Sequence, residues 1–590
     1  MRRILPIALL VLLAPLSAHL YADDLAAARS AIEAQYTRLD SAVTRKDPSP
    51  FADIAAPDLQ ITSATGDTLD LAGATKAWRE VAASLDTVTS RSKVQSAVAE
   101  GAAVRVVAHI VQEGMLKQMG SAVSFRGEST AHDTWVRAGA AWHLSRSVEV
   151  RSRIWLGGNL VQETTASPPL TTAQREAIVA ELRARLIPFE TVASGSGFDD
   201  LAALDAIVGD ARIVALGEAT HGTAEFFRMK HRIFEYLVER KGFSVFAFET
   251  NWPDVETVDR YVRTGEGTAA SAMKGIFGVW QTREVLDLIE WMRAYNSRPG
   301  RTRLLSFTAF DMQGPETAAK CVIEAVSRLG DTDGETMRRA YDGIGGMYER
   351  MDPLFSANPL SDAEKAAFRA KATAGLKLLE DRRDALLRLL TPAEYRRAHR
   401  CATIVVQASA PGAEDVGAAR DAAMAENIKW LAEEAYPGER IAIWAHNGHV
   451  AAASDAKGSA LMGRHLREIF GQQMRVLGFA LDRGEVSALK LKQGKTISKG
   501  RVVLPIPAAK ADSPEALLRA AGIPRAILDL RTVPATGALG ARLAEVQPTR
   551  SIGWGFDPEA ASAYYQGFVL PQAFDALIFF AETTAVSPLQ

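Results

Sequence analysis

The spacing of apolar positions changes character twice along this chain. From about Leu25 to Val43 they recur at helical intervals. Alternating runs come next at Asp58 to Thr62, Ala103 to Gln112, Ser129 to Arg137 and Ala141 to Val150, the last two joined by Ala138-Gly139-Ala140 as a turn. One helix followed by a curved antiparallel sheet predicts a small α+β domain over residues 23–156. Gly157-Gly158 and the stretch Thr164-Thr165-Ala166-Ser167-Pro168-Pro169 break the pattern, so a linker is expected over 157–174.

From 175 to 590 the apolar runs are short and nearly continuous: Arg212 to Leu216, Phe243 to Phe248, Leu304 to Phe310, Arg440 to Ala445, Arg475 to Leu481, Ala526 to Leu530 and Ala576 to Phe580. Burial on both faces produces such runs, and intervening helical segments imply a largely parallel sheet. The predicted class is α/β, an open, mostly parallel sheet with flanking helices. A helical insertion is expected at about 315–437, carrying Ala363 to Leu390 and Ala418 to Glu434 and able to wall a cleft at the sheet's carboxyl edge.

The chain has 590 residues, too many for one core, with 47% hydrophobic and 23% charged residues and a formal charge of -2. That balance argues against nucleic acid as a partner. Arg2 and Arg3 precede an apolar stretch, Ile4 to Leu16, and small residues Ala18 and Ala22 precede Asp23-Asp24. This predicts a cleaved signal peptide over 1–22, a periplasmic or secreted protein, and no stable membrane anchor. The two cysteines, Cys321 and Cys401, form either a disulfide or two buried thiols, and are too few for a cysteine-rich zinc cluster.

The residues just beyond each strand carry the chemistry. Gly217-Glu218-Ala219-Thr220-His221-Gly222 comes after the first run, Glu249 after the second, Asp311 after the third and His446-Asn447-Gly448-His449 after the fourth. Sites in open parallel sheets form outside the strands' carboxyl ends. A carboxylate three residues from a histidine across a strand-to-helix turn can orient the ring and stabilise its charged form. Glu218, His221, Glu249, His446 and His449 are therefore the candidate catalytic set. They suit water activation by a general base, and they also suit a metal. No G-x-S-x-G elbow, P-loop or dinucleotide fingerprint is present. His109, His132 and His143, in the first domain, read as sheet-face residues.

These motifs, with Glu225-Phe226-Phe227-Arg228-Met229-Lys230-His231, Phe246-Ala247-Phe248-Glu249, Trp280, Trp291, Tyr295-Asn296, Asp311-Met312-Gln313, Arg420-Asp421, Met424, Asn427 and Phe574-Asp575-Ala576-Leu577-Ile578, resemble the erythromycin esterase family over about 175–590. The resemblance implies hydrolysis of an ester or lactone, without cofactor or metal. His221 matches the water-activating base, Glu218 and Glu249 the paired carboxylates, and His446 and His449 the supporting histidines. Lys230, His231, Asp311, Trp280 and Arg420 become candidate substrate-binding residues. Resistance-type members have arginine where this chain has Lys230, and some have a bulky aromatic where it has Gly222. The Asp133-Thr134-Trp135-Val136 and Ala141-Trp142-His143-Leu144 pair resembles the nuclear-transport-factor-like cone, a fold that often dimerises, so a second copy of the chain joins a small ester as an expected partner. Two other classes stay open: a metal-dependent hydrolase on the same residues, and a non-catalytic envelope protein that binds haem or another ligand.

Overall fold

The computed structural model describes residues 22–64, 68–118, 121–165, 170–351, 360–409, 416–455, 458–492 and 495–589. The expected signal peptide and the Pro168-Pro169 stretch lie outside these residues. The chain divides into two compact units, Met1–Pro169 and Leu170–Gln590.

In the first unit the helix Ala22–Arg45 buries Ala28, Ile32 and Tyr36, one turn apart, and Ala42. They pack on a sheet of β1 (Ala55–Thr62), β2 (Thr68–Asp70), β3 (Leu85–Glu100), β4 (Ala103–Gln118), β5 (Ser121–Ala138), β6 (Ala141–Leu156) and β7 (Asn159–Thr165), in the order β2-β1-β6-β5-β4-β3 with β7 on β6. Alternation puts Val104, Val106 and Ala108 of β4 into the core. Register breaks at Val94/Ser96, Thr130/Ala131 and Thr134/Trp135 bend the long strands. Gly157 and Gly158, at φ 56° and 85°, close the β6–β7 hairpin and do not open the linker expected there.

The second unit is built on β8 (Ile187–Pro188), β9 (Ile213–Leu216), β10 (Val245–Asn251), β11 (Ser306–Asp311), β12 (Ile441–Trp444), β13 (Met474–Lys492), β14 (Lys495–Ile506), β15 (Arg525–Asp529), β17 (Gly555–Phe556) and β19 (Ala576–Thr583), with β16 (Gln547–Arg550) and β18 (Tyr565–Phe568) forming a separate pair. The strand order is β11-β10-β12-β9-β13-β19-β15-β8, parallel from β11 through β19. β15 runs antiparallel to β19, and β14 antiparallel to β13. Every residue of β9, β10, β11 and β12 is buried, which is why these segments are apolar almost throughout.

Seven described α-helices separate β11 from β12, among them Glu316–Ser327, Asp362–Asp381, Pro392–Ser409 and Val416–Trp430. A disulfide joins Cys321, in Glu316–Ser327, to Cys401, in Pro392–Ser409. The Val416–Trp430 helix returns beside β11 and delivers side chains to the sheet's carboxyl edge.

Candidate active site

Parallel register places Leu216 and Trp444, the last residues of β9 and β12, side by side with Phe248 and Ala309 near the ends of β10 and β11. The residues just beyond them therefore meet at one edge. Gly217 is required there, because a Cβ would lie 2.1 Å from the Asn447 side-chain oxygen. Asn447 clamps the two loops: its backbone N–H donates to the Glu218 carbonyl (2.7 Å), and its amide bridges both backbone groups of Phe479.

Glu218 is fully buried and accepts from three side chains: His221 Nδ1 at 2.6 Å, Lys230 Nζ at 2.7 Å and Trp280 Nε1 at 3.2 Å. Burial pushes its carboxyl up, but the Lys230 ammonium and the His221 ring outweigh this and hold it down at about 2. As an ionised, acceptor-only group it fixes the His221 tautomer: the proton is on Nδ1, and Nε2 is the basic nitrogen. The Trp280 ring stands edge-on to His221, with centroids 5.1 Å apart.

His446 lies 4.9 Å from His221, ring to ring. Its Nδ1 accepts from the Gly448 N–H (3.1 Å), so Nε2 carries the proton. That N–H is buried without a partner. Burial, reinforced by His221, lowers the pKa of His446 well below the ordinary histidine range, so the ring is neutral.

A second cluster adjoins the first. Glu249 accepts the His446 backbone N–H (2.8 Å) and an Arg420 Nη2–H (2.9 Å). Arg420 also binds Asp311 (2.6 Å) and reaches His449 Nε2 (3.1 Å). His449 Nδ1 faces Asp421 at 2.6 Å, and its Nε2 lies 3.3 Å from Glu249. Burial works against charge on His449, yet Asp421 and Glu249 outweigh it and raise its pKa. The same contest holds Asp311 ionised beside Arg420.

The five expected catalytic residues thus come together. Of the expected substrate-binding residues, Lys230 and Trp280 bond Glu218, and Arg420 bonds Glu249. Lys230 and Asp311 are fully buried and saturated by Glu218 and Arg420, so they orient the groups around them and have no surface left for substrate. His231 does not join the site. One residue past Lys230, it points about 100° away around the helix. There it packs on Trp291 and faces Glu235 at 3.6 Å, and burial lowers its pKa to about 4. The carboxylates that a metal would need are matched by Lys230 and Arg420, and among the described residues no cluster of three or more His, Cys, Asp or Glu is arranged to hold a metal ion.

Three residues around the site escaped the assignment from sequence: Asp421, Asn447 and Arg501, whose Nη2 donates to the His221 carbonyl (2.9 Å). Asp421 left a signal, a buried acid in a helix whose neighbours are Ala423, Met424 and Ile428. Asn447 left its position between two histidines. Arg501, one of several basic residues in the β13–β14 hairpin, left none.

The sequence model described as erythromycin esterase matches residues 238–583, more than half of the chain. A hydrolase-like protein of Bacillus subtilis, YbfO, is 25% identical over 421 residues, 66% of this chain and 88% of its own length. Erythromycin esterase type II of Escherichia coli is 24% identical over 328 residues, 51% of this chain and 77% of that protein. A crystal structure of a Bacillus cereus protein superposes with a TM-score of 0.60 at 26% identity, covering 72% of this chain and 100% of the other. With its sheet, its strand-end histidines and carboxylates and these relatives, the chain belongs to the erythromycin esterase family and has the make-up of a hydrolase.

Proposed function

We propose that this protein is an exported hydrolase of a carboxylic ester or lactone, acting without a metal. The observation that carries the proposal is the pairing of a Glu218-oriented His221, whose Nε2 is the basic nitrogen, with the unpartnered N–H of His446 one ring away. His221 Nε2 takes a proton from water as its oxygen bonds to the ester carbonyl carbon. The carbonyl oxygen becomes an oxyanion, and the neutral His446 Nε2–H donates to it. The tetrahedral adduct then expels the alkoxide, which recovers the proton from His221, leaving alcohol and acid. Glu218 balances the imidazolium formed in between. Arg420, Glu249 and Asp421 hold His449 and the His446 backbone in place.

The name of the Escherichia coli relative suggests a macrolide lactone, but the turn beside the base is different here. A Cβ on Gly222 would lie 2.1 Å from the Ser487 carbonyl, so the aromatic of some resistance-type members has no room in this backbone. A smaller or differently shaped ester is the better candidate. Export rests on the leader-like first residues. Steady-state kinetics with 4-nitrophenyl acetate test the proposal. His221→Asn keeps the volume and removes the base, so kcat should fall about 10²- to 10⁴-fold with little change in KM. An unchanged kcat would move the chemistry away from this turn.

A further inference from the structure

Arg501 lies on β14, far along the chain from the strand ends that supply the catalytic set. Its five N–H groups make five hydrogen bonds, all to backbone carbonyls. Nε donates to Ser487 (3.2 Å), Nη1 to Gly278 (3.3 Å) and Val279 (2.5 Å), and Nη2 to Ser487 (2.5 Å) and His221 (2.9 Å). Among the described residues no carboxylate pairs with it. Burial accordingly lowers its pKa to about 10, with Glu218 the charge that pulls the other way. A half-buried guanidinium spent wholly on carbonyls is costly unless the segments it joins need to be joined.

Those segments are the His221 turn, the stretch leading into Trp280, and the β13 strand, whose Ser487 N–H donates to the Gly222 carbonyl (3.0 Å). His221 and Trp280 share one acceptor, Glu218 Oε1, so a small shift of either segment breaks the arrangement. Gly222 fits the same purpose: any Cβ there would stand 2.9 Å from Arg501 Nη2. We infer that Arg501 is a positioning residue, which holds the base His221 and the indole of Trp280 in working register on Glu218. This rests on the ester-hydrolysis proposal for its kinetic consequence, though not for its geometry. Lysine cannot replace it, since one ammonium cannot span four carbonyls on three segments. The fold has other ties here, with Val586 N–H on the Gly222 carbonyl (3.0 Å) and Leu589 N–H on the Gln281 carbonyl (3.0 Å), so a variant should lose register before it loses structure.

The test compares R501K, R501A, H221N and the exposed-residue control K499A in the full chain. With an activated ester, R501K should lose about 10- to 100-fold in kcat, the size expected for a misplacement near 1 Å, while KM stays within about threefold. Methylguanidinium should restore part of the activity of R501A and none of that of H221N. The far-downfield proton of His221 Nδ1, identified by its absence in H221N, should shift or broaden in R501K. A fully active H221N would sink the hydrolysis proposal, and the proton resonance would still decide the positioning role. Wild-type kcat with an unmoved resonance in R501K, or an equal loss in K499A, overturns the inference.

Discussion

Replacing Lys230 by methionine is the sharpest probe of how the site is held. Glu218 and Lys230 face each other at 2.7 Å with both side chains fully buried. Glu218 sits at about 2 against an ordinary 4.5, a difference of about 3 kcal/mol. Because this pKa is depressed, its stabilisation is complete above 4.5 and is lost as pH falls towards 2. Burial lowers Lys230 to about 8 from 10.5, opposed by Glu218 and Glu249, and this costs about 3 kcal/mol while the ammonium is charged. That cost fades as pH rises from about 8 to 10.5. Both displacements contain the same Glu218–Lys230 attraction, so the two are not summed, and that attraction serves to offset the burial of two charges. Lys230→Met removes the compensation and leaves a carboxylate buried beside Trp444, over whose ring the ammonium now sits at 4.3 Å. The expected loss is about 3–5 kcal/mol at pH 7, the range for breaking a buried pair from one side. Glu218→Gln in the same chain should recover much of it. Urea unfolding by circular dichroism, checked against residual esterase activity, gives the double-mutant cycle. A loss below about 1 kcal/mol for Lys230→Met, or a double variant costing the plain sum, would refute the assignment of Lys230 as Glu218's countercharge.

Asp421→Asn should lower the pKa of His449, because Asp421 is foremost among the groups that raise it. A raised histidine stabilises the fold below its unfolded pKa and loses that contribution as pH rises through the folded value. The variant should therefore lag the wild type at acidic pH and converge at alkaline pH, which melting curves across that range would show; a gap that widens at alkaline pH contradicts this. Reducing the Cys321–Cys401 disulfide releases a cross-link spanning 80 residues, a chain-entropy effect of about 4.5 kcal/mol at most. Dithiothreitol should lower the melting temperature of the wild type and leave a Cys321→Ser/Cys401→Ser variant unmoved, and equal shifts in both would contradict it.

How much of this was legible depended on how each part is stabilised. The four central strands are buried on both faces, so their apolar runs stand out, and the residues after them had to share an edge once the strands were parallel. β3 is different. Thr87, Thr89, Arg91 and Lys93 occupy its exposed face. On the other face Ser90 and Ser92 sit between Val88 and Val94 and hydrogen-bond Asp40, so only the two valines mark the buried side and the alternation is too polar to read. β14 escaped for a related reason: it is an edge strand whose first half, with Lys495, Ile497 and Lys499 exposed, is largely polar, and whose short apolar stretch Val502-Val503-Leu504 is itself mostly exposed.

The site divides along the same line. The candidate catalytic residues lie at the carboxyl ends of strands, Glu249 still within β10 and the others just beyond β9 and β12, and could be located from order alone. Those that balance and orient them arrive from elsewhere in the chain: Arg420 and Asp421 from the last helix of the insertion, Lys230 from within a helix, and Arg501 from the hairpin. An ionised acid at a strand end reveals that a countercharge is needed, but its source is set by tertiary packing, which spacing does not encode. Lys230 illustrates the point. Its place in the motif suggested contact with substrate, and only full burial against Glu218 shows that its charge is already spent inside the protein. Of the polar groups in the site, His221, His449 and Arg420 keep a partly open face, and the buried ions around them act by keeping those faces in place.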